Sequence, residues 1–257
     1  MYDDGMSARP ATDVEAWYTA LEARHLATLS FPEVRRALQA LSSLYVERRD
    51  RLARGAAFDG VGKRAAFALF YGPLHFLIVR EIVAALRAAE PPLDRVVDLG
   101  CGTGSAGAAW ALEAARRPTV EGIDASGWAV GEAEWNLRTL GLTANVRRGH
   151  LVEAMLGAAG EAIVVAYAAN ELDDASRGGV LSGLIAAHGK GSRVLVVEPI
   201  AKRPVPFWTA WVDAFRAAGG RADTWRFPAV LPERMQLLDK AAGLDHRELT
   251  ARSLWLG

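Results

Sequence analysis

The stretch VVDLGCGTGS, residues 96–105, constrains the fold of this chain more than any other feature. An apolar segment typical of a short buried strand runs into three closely spaced glycines, and a small-residue helix is predicted over 105–116. Glycine lets a ligand approach the main chain closely. A helix start carries unpaired amides and the positive end of the helix dipole, which favours a carboxylate or phosphate. The stretch therefore predicts a strand, a ligand-binding turn and a helix, although such turns also occur in α/β proteins without a ligand.

The glycine spacing separates two kinds of nucleotide site. A dinucleotide-binding turn has the pattern G-x-G-x-x-G, whereas this chain has Asp98-Leu-Gly100-Cys101-Gly102-Thr-Gly104. In this pattern it resembles the class I S-adenosylmethionine-dependent methyltransferase superfamily. The resemblance implies that Gly100 and Gly102 let the loop pass close to the methionine part of the cofactor, with Cys101 and Gly104 in the same loop. It also implies that Asp98 lies near the cofactor amino group.

Composition restricts the classes of function. The 257 residues are 51% apolar and 23% charged, which fits one large domain or one domain with a helical appendage. Thirty basic and thirty acidic side chains cancel, so no overall field attracts nucleic acid or an anionic membrane. A single cysteine excludes an internal disulfide framework and a four-cysteine metal site. No apolar run is long enough to span a bilayer and the acidic start lacks a signal-peptide pattern, so we expect a cytoplasmic protein without a membrane partner.

One segment, residues 31–64, departs from this charge balance. A solvated helix face is the commoner reason for such a run, and contact with an anionic partner such as RNA is the alternative. Its basic residues are Arg35, Arg36, Arg48, Arg49, Arg51, Arg54, Lys63 and Arg64.

The chain is predicted to divide into an N-terminal helical cap, residues 1–92, and a cofactor-binding methyltransferase domain, residues 93–257. The first twelve residues are short of apolar side chains and are predicted to be disordered. Apolar residues at three- and four-residue spacing predict two helices over 13–54. Pro73 suits the first turn of a further helix over 74–89, which is ended by the two prolines that follow.

From residue 94 onward, strand and helix patterns alternate, which predicts an α/β fold with a doubly wound, mostly parallel sheet. The resemblance implies seven strands, with the last one antiparallel, in a Rossmann-like methyltransferase fold. The predicted strands are 96–99, 119–124, 145–148, 162–167, 193–197, 222–227 and 247–256.

In such a sheet, ligands bind outside the carboxyl ends of the strands. Asp124 ends the second strand, 24 residues beyond Gly100, where an acidic side chain accepts hydrogen bonds from ribose hydroxyls. The alternative is a charge that stabilises the next helix start. Ala125 and Trp128 follow and could pack on adenine, although Trp128 equally suits the core.

The third strand ends in Gly149-His150-Leu151. The resemblance implies an acidic residue there that accepts from the adenine amino group, and this chain has histidine instead. A neutral imidazole retains one acceptor nitrogen and could take that role. His150 and Leu151 are therefore predicted cofactor contacts, with an ordinary surface histidine as the alternative.

The fourth strand ends in the sequence YAANELDD, residues 167–174. The resemblance implies that this position faces the transferable methyl group, so Tyr167, Asn170 and Glu171 are the catalytic candidates for acceptor positioning or proton removal. The sequence lacks the Asn/Asp-Pro-Pro-aromatic signature of amino-group methylation on adenine or glutamine, which argues against those acceptors. Asp173 or Asp174 suits a helix cap.

Three further side chains are candidate substrate contacts. Glu198 ends the fifth strand and faces the same cleft, while Tyr71 and His75 come from the helical segment that could cover it. Buried polar tips and core aromatics also occur outside active sites, which is the alternative for each.

Methyl transfer makes few demands on a protein. A sulfonium methyl group is already an electrophile, so the acceptor lone pair has to be held in line with it. A base is needed only where the acceptor carries a proton that it does not lose easily. The five histidines are scattered without metal-ligand spacing, so no metal is expected.

Residues 94–199 are also similar to the methyltransferase-like proteins associated with the small ribosomal subunit of mitochondria and their bacterial relatives. The similarity lies in the Tyr-x-x-Asn-Glu-Leu strand end, the Val-Glu-Pro of the next strand and the preceding Phe-Tyr-Gly-Pro segment. This chain lacks the cysteine cluster that usually binds an iron-sulfur group there.

The sequence favours S-adenosylmethionine-dependent methyl transfer to a small organic acceptor. One alternative is an RNA methyltransferase or a cofactor-binding assembly factor that contacts RNA or the ribosome. A second is an enzyme that uses the same cofactor for another reaction, such as a cyclisation.

Overall fold

The computed structural model describes residues 11–47, 58–153, 156–200 and 205–257. Several predictions lie outside these residues. They are the disorder of the first ten residues, the extension of the second helix beyond residue 47, and the contribution of Arg48, Arg49, Arg51 and Arg54 to the basic segment.

The centre of the molecule is a seven-stranded sheet with the order β3-β2-β1-β4-β5-β7-β6. Strands β1 to β5 are parallel, and β7 runs antiparallel to both β5 and β6. This order confirms the predicted doubly wound, mostly parallel fold with an antiparallel last strand. The strands are β1 Arg95–Leu99, β2 Thr119–Asp124, β3 Ala144–Arg148, β4 Glu161–Ala166, β5 Arg193–Glu198, β6 Arg221–Pro228 and β7 Glu248–Leu256.

Helices cover the sheet, and two of them begin after a residue whose side chain caps the first turn. The Ser126 hydroxyl accepts from the Ala129 amide at 3.3 Å, and the Asp173 carboxylate accepts from the Ser176 amide at 2.8 Å. Asp173 is one of the two cap candidates that the sequence offered for the later helix. The helices are α1 Ala11–His25, α2 Phe31–Glu47, α3 Val61–Ala85, α4 Ser105–Glu113, α5 Gly127–Thr139, α6 Asp174–His188, α7 Pro206–Ala217 and α8 Glu233–Ala241.

Helix α3 corrects one prediction. It does not begin at Pro73 but runs through it, with a π-helical turn at Phe67–Tyr71 in which the Gly72 amide donates to the Phe67 carbonyl. Pro73 has no N–H to offer the Leu69 carbonyl four residues earlier. The Tyr18 hydroxyl of α1 donates to that carbonyl at 2.9 Å. A contact from another helix therefore makes the continuous helix possible.

Helix α3 also has the length and apolar character of a membrane span, yet 78% of its most apolar window is buried within the described protein. It packs along α4 and against β7. Side chains of α1 and α3 share one hydrophobic cluster with Val96 and Val164 of the sheet. The residues predicted as a cap thus share a core with the residues predicted as the cofactor domain, and the division at residue 92 stays a prediction.

Candidate active site

The glycine loop between β1 and α4 has a backbone that only glycine adopts readily. Gly100, Gly102 and Gly104 have φ values of 70°, 52° and 77°. A Cβ on Gly102 would meet no atom within 4 Å, so this residue presents an open face. A Cβ on Gly104 would stand 3.2 Å from the Ala133 Cβ, so its absence lets α4 begin close against α5. Of the three, Gly102 is the one that leaves room for a ligand.

Gly107 has a role that the sequence analysis missed. A Cβ there would lie 2.8 Å from the Val120 Cγ1 of β2, so Gly107 brings α4 down onto the sheet. Its amide donates to the Asp98 Oδ2 at 2.8 Å. Asp98 is 1% exposed, and desolvation raises its pKa to about 7. The predicted contact between Asp98 and the cofactor amino group is therefore not favoured, because α4 covers this carboxylate.

Asp124 joins the end of β2 to the glycine loop. Its Oδ2 accepts from the Gly102 amide at 2.9 Å, and its Oδ1 accepts from the Ser126 amide at 2.8 Å. An ionised carboxylate offers about four acceptor positions. Two remain for ribose hydroxyls, so the structural contact with the helix start and the predicted ribose contact are compatible.

The remaining predicted cofactor residues lie around this loop and differ in how far they are buried. Cys101 is buried, its side chain is accommodated by Gly122, and burial raises the pKa of its thiol. Leu151 is half-buried, with its Cδ2 3.4 Å from the position of a Cβ on Gly100. Ala125 and His150 are exposed. The exposure of His150 agrees with an ordinary surface histidine, and its contact with adenine stays a prediction.

At the ends of β4 and β5, Glu198 fixes the orientation of Asn170. The main-chain amide of Asn170 donates to Glu198 Oε1 at 3.3 Å, and the side-chain Nδ2 of Asn170 donates to Glu198 Oε2 at 2.5 Å. Glu198 is 0% exposed, and desolvation raises its pKa to about 7 against the opposing effects of Asn170 and Arg252. Glu198 is wholly buried and holds Asn170, so its predicted contact with a substrate is not favoured.

Two catalytic candidates, Tyr167 and Glu171, flank this pair. Tyr167 has a φ of 59°, unusual for a residue with a side chain, and its buried hydroxyl has no hydrogen-bond partner within the part of the chain that the structure describes. Desolvation and then Glu198 raise its pKa, so the hydroxyl stays protonated. Glu171 lies on an exposed turn, yet desolvation and the Glu198 and Asp124 carboxylates raise its pKa to about 8.

A row of aromatic side chains ends on Tyr167, and we call it the aromatic roof. Ring centroids are 4.9 Å apart for Trp128–Phe58 and Phe58–Phe67, and 6.1 Å apart for Phe67–His75. His75 then stacks on Tyr167 at 3.7 Å with 11° between the planes. The roof therefore runs from the neighbourhood of Asp124 to the end of β4. It consists of Trp128, Phe58, Phe67, Tyr71 and His75.

Comparison with known proteins agrees with this arrangement. Residues 81–166, which contain the glycine loop, Asp124 and strand β4, match the protein family described as methyltransferase small domain. Over this part, about a third of its length, the chain is similar to a methyltransferase domain.

Solved structures of several methyltransferases are similar to this chain. A mitomycin 7-O-methyltransferase is 16% identical with a TM-score of 0.53, and the match covers 94% of this chain and 72% of that one. A methyltransferase from Geobacter sulfurreducens with S-adenosyl-L-homocysteine is 18% identical with a TM-score of 0.47, over 70% and 90% of the two chains. Magnesium protoporphyrin IX methyltransferase from Synechocystis PCC 6803 is 17% identical with a TM-score of 0.47, over 89% and 98%. No protein of curated function matches the chain.

Two side-chain hydrogen bonds that were not predicted also hold the glycine loop in place. Asn136 of α5 donates from Nδ2 to the Thr103 carbonyl at 3.0 Å, and the Trp17 indole of α1 donates to Asn136 Oδ1 at 2.8 Å. Nearby, the buried Glu132 accepts from Arg24 and pairs with His25. Polar residues at 132 and 136 interrupt the apolar stripe of α5, which is the signal that could have revealed these contacts.

The described residues contain no group of three or more potential metal ligands. The sequence-predicted acceptor residues, by contrast, do come together. Tyr71, His75 and Tyr167 form consecutive ring contacts, and Asn170 binds Glu198.

Proposed function

We propose that this protein transfers the methyl group of S-adenosylmethionine to a small organic acceptor. The observation that carries the proposal is the open face of Gly102 beside a carboxylate, Asp124, that retains acceptor positions. S-adenosylmethionine supplies a sulfonium methyl group when bound, and the protein has to hold this group opposite an acceptor.

The residues divide into two groups under this proposal. Asp124 accepts from the ribose hydroxyls, while Gly100 and Gly102 form the wall against the methionine part. Asn170 and Glu171 follow β4, the next strand over from β1, where the acceptor would lie. Positioning of this kind lowers the barrier because the reacting atoms are already at near-attack distance.

A small acceptor is favoured over RNA by the side chains near the glycine loop and the end of β4. They include the apolar aromatic roof and the Asp124 carboxylate. Arg64, which belongs to the basic segment, donates to the Phe58 carbonyl at 2.8 Å and lies 5.9 Å from the Trp128 ring centroid. The guanidinium group of Arg64 therefore contacts the aromatic roof. The mitomycin 7-O-methyltransferase that shares the fold is consistent with a small acceptor.

Calorimetric titration with S-adenosylmethionine and S-adenosylhomocysteine tests the cofactor site. Asp124→Ala should weaken both by about 1–3 kcal/mol, because the ribose hydroxyls lose their charged acceptor. The matched control is Asp174→Ala, which also removes one carboxylate but from a side chain that is 98% exposed. Equal affinities of Asp124→Ala and the control would remove Asp124 from the site.

A label experiment separates the three candidate reactions. The protein is incubated with S-adenosylmethionine tritiated in the methyl group, together with either a small-molecule extract or total RNA. We expect label in the small-molecule fraction. Label in RNA would support the RNA methyltransferase, and consumption of the cofactor without transfer to either fraction would support a different use such as cyclisation.

A further inference from the structure

A chain of buried hydrogen bonds connects helix α1 to the glycine loop. The Trp17 indole N–H donates to Asn136 Oδ1 at 2.8 Å, and Asn136 Nδ2 donates to the Thr103 carbonyl at 3.0 Å. Each of the three residues has 2% of its surface exposed. Because water has little access to these groups, the loss of one partner leaves the other without a hydrogen bond.

The Asn136 amide suits both ends of this chain. An indole N–H only donates and a carbonyl oxygen only accepts, so the group between them has to accept on one side and donate on the other. The two partners therefore determine which end of the amide is oxygen and which is nitrogen. An amide without the Trp17 N–H is free to rotate, and its donor to Thr103 is then no longer held in place.

Thr103 lies at the part of the glycine loop that most needs contacts from outside. It stands between Gly102 and Gly104, which have φ values of 52° and 77°. Glycine backbone has more accessible conformations than any other, so contacts from outside the loop help to hold its shape. Asp124 accepts from the Gly102 amide at 2.9 Å, and Asn136 donates to the carbonyl of the next residue. The two contacts together hold the segment that presents the open face of Gly102.

Helix α1 is fixed to the molecule by contacts that do not involve the glycine loop. The Trp17 ring lies 5.2 Å from the Phe76 ring of α3, measured between centroids. The Tyr18 hydroxyl donates to the Leu69 carbonyl of the same helix at 2.9 Å. Packing against α3 therefore sets the position of the indole N–H, and α1 can serve as an anchor for the amide of Asn136.

We propose that Trp17 and Asn136 are positioning residues of the cofactor site, which hold the glycine loop in the shape that binds S-adenosylmethionine and so couple cofactor binding to the docking of α1. This inference rests on the proposed function. A loop that already has its binding shape loses less conformational freedom when the cofactor binds. Coupling between two sites is reciprocal, so the bound cofactor in turn stabilises the attachment of α1.

Two variants break the chain of hydrogen bonds at different points. Trp17→Phe removes the indole N–H and retains an aromatic ring, whereas Asn136→Leu removes the hydrogen bonds at both ends. In calorimetric titration of the full chain with S-adenosylhomocysteine, each should bind about fivefold or more weakly than the parent chain. Glu132→Gln is the matched control and should bind like the parent chain. Glu132 lies one turn earlier on α5, and its buried carboxylate also contacts α1, through His25, without a described hydrogen bond to the glycine loop.

Hydrogen exchange of the backbone amides tests the reciprocal effect. Saturation with S-adenosylhomocysteine should slow exchange in α1 in the parent chain and in Glu132→Gln, but not in Trp17→Phe. A role of Trp17 in folding alone would lower stability without this difference. Trp17→Phe decides the test where Asn136→Leu does not fold.

The outcomes separate this inference from the proposed function. If S-adenosylhomocysteine does not bind the parent chain, both are contradicted. If it binds the parent chain and the variants with equal affinity, or leaves exchange in α1 of the parent chain unchanged, the coupling is wrong while the proposed function is not contradicted. Weaker binding in Asn136→Leu but not in Trp17→Phe would contradict the role of α1. An equal loss of affinity in Glu132→Gln would contradict a specific role of Trp17.

Discussion

The replacement Gly102→Ala should weaken cofactor binding in addition to lowering the stability of the fold. The φ value of Gly102 is 52°, and an L-residue in this left-handed region costs about 1–2 kcal/mol. No atom lies within 4 Å of the new methyl group, so no steric cost adds to that strain. The methyl group would nevertheless occupy the face against which the cofactor lies. We expect a loss of stability of about 1–2 kcal/mol and a loss of S-adenosylmethionine affinity of about tenfold or more, equivalent to 1.4 kcal/mol or more.

Alanine replacements of two further glycines separate the effect on stability from the effect on cofactor binding. Gly107→Ala should leave the open face intact but destabilise the fold, because its Cβ would lie 2.8 Å from Val120 Cγ1 and overpacking costs about 1–3 kcal/mol. Gly131→Ala is the control: this helical position has no neighbour within 4 Å, and the gain in helix propensity is about 1 kcal/mol. Urea unfolding and calorimetric titration measure the two quantities separately. The reasoning is refuted if Gly102→Ala binds S-adenosylmethionine like the parent chain.

Two other consequences can be measured by urea unfolding. Tyr18→Phe should lower the free energy of unfolding by about 1–3 kcal/mol, because the buried Leu69 carbonyl loses its donor; an unchanged stability would show that another group satisfies this carbonyl. Asp98 has a pKa of about 7 in the folded chain against 3.8 as its ordinary value, so the folded state binds more protons than the unfolded state between these pH values. Its contribution to stability is therefore greatest at low pH, falls as pH rises from about 4 to about 7 and is level above that range. Asp98→Asn should make this slope shallower, and a slope equal to that of the parent chain would contradict the assignment.

Local sequence patterns predicted most of the fold because they act over short distances. Apolar runs such as 162–166 between turn residues defined the strands, and side chains such as Ser126 and Asp173 defined helix starts. The start of helix α3 was predicted wrongly because the continuity of this helix through Pro73 depends on a residue that is distant in the sequence. A proline normally ends or begins a helix, and only the packing of α1 supplies the Tyr18 hydroxyl that compensates for it.

The sequence predicted that the candidate residues lie at one edge of the sheet, but not which contacts their side chains make. The rule that ligands bind at the carboxyl ends of parallel strands brought together Tyr167, Asn170 and Glu198. It could not show that Glu198 is wholly buried and acts through Asn170, because this depends on side-chain conformations. The position of Asp98 beneath α4 likewise depends on Gly107, which is outside the glycine motif and allows the helix to approach the sheet.

Three of the five rings in the aromatic roof belong to α3, the same helix that lies along α4 and against β7 in the core. A lid that opens by swinging would have to pull this helix out of the hydrophobic centre of the molecule. The part of the aromatic roof that α3 carries is therefore held in place by the same packing that stabilises the fold.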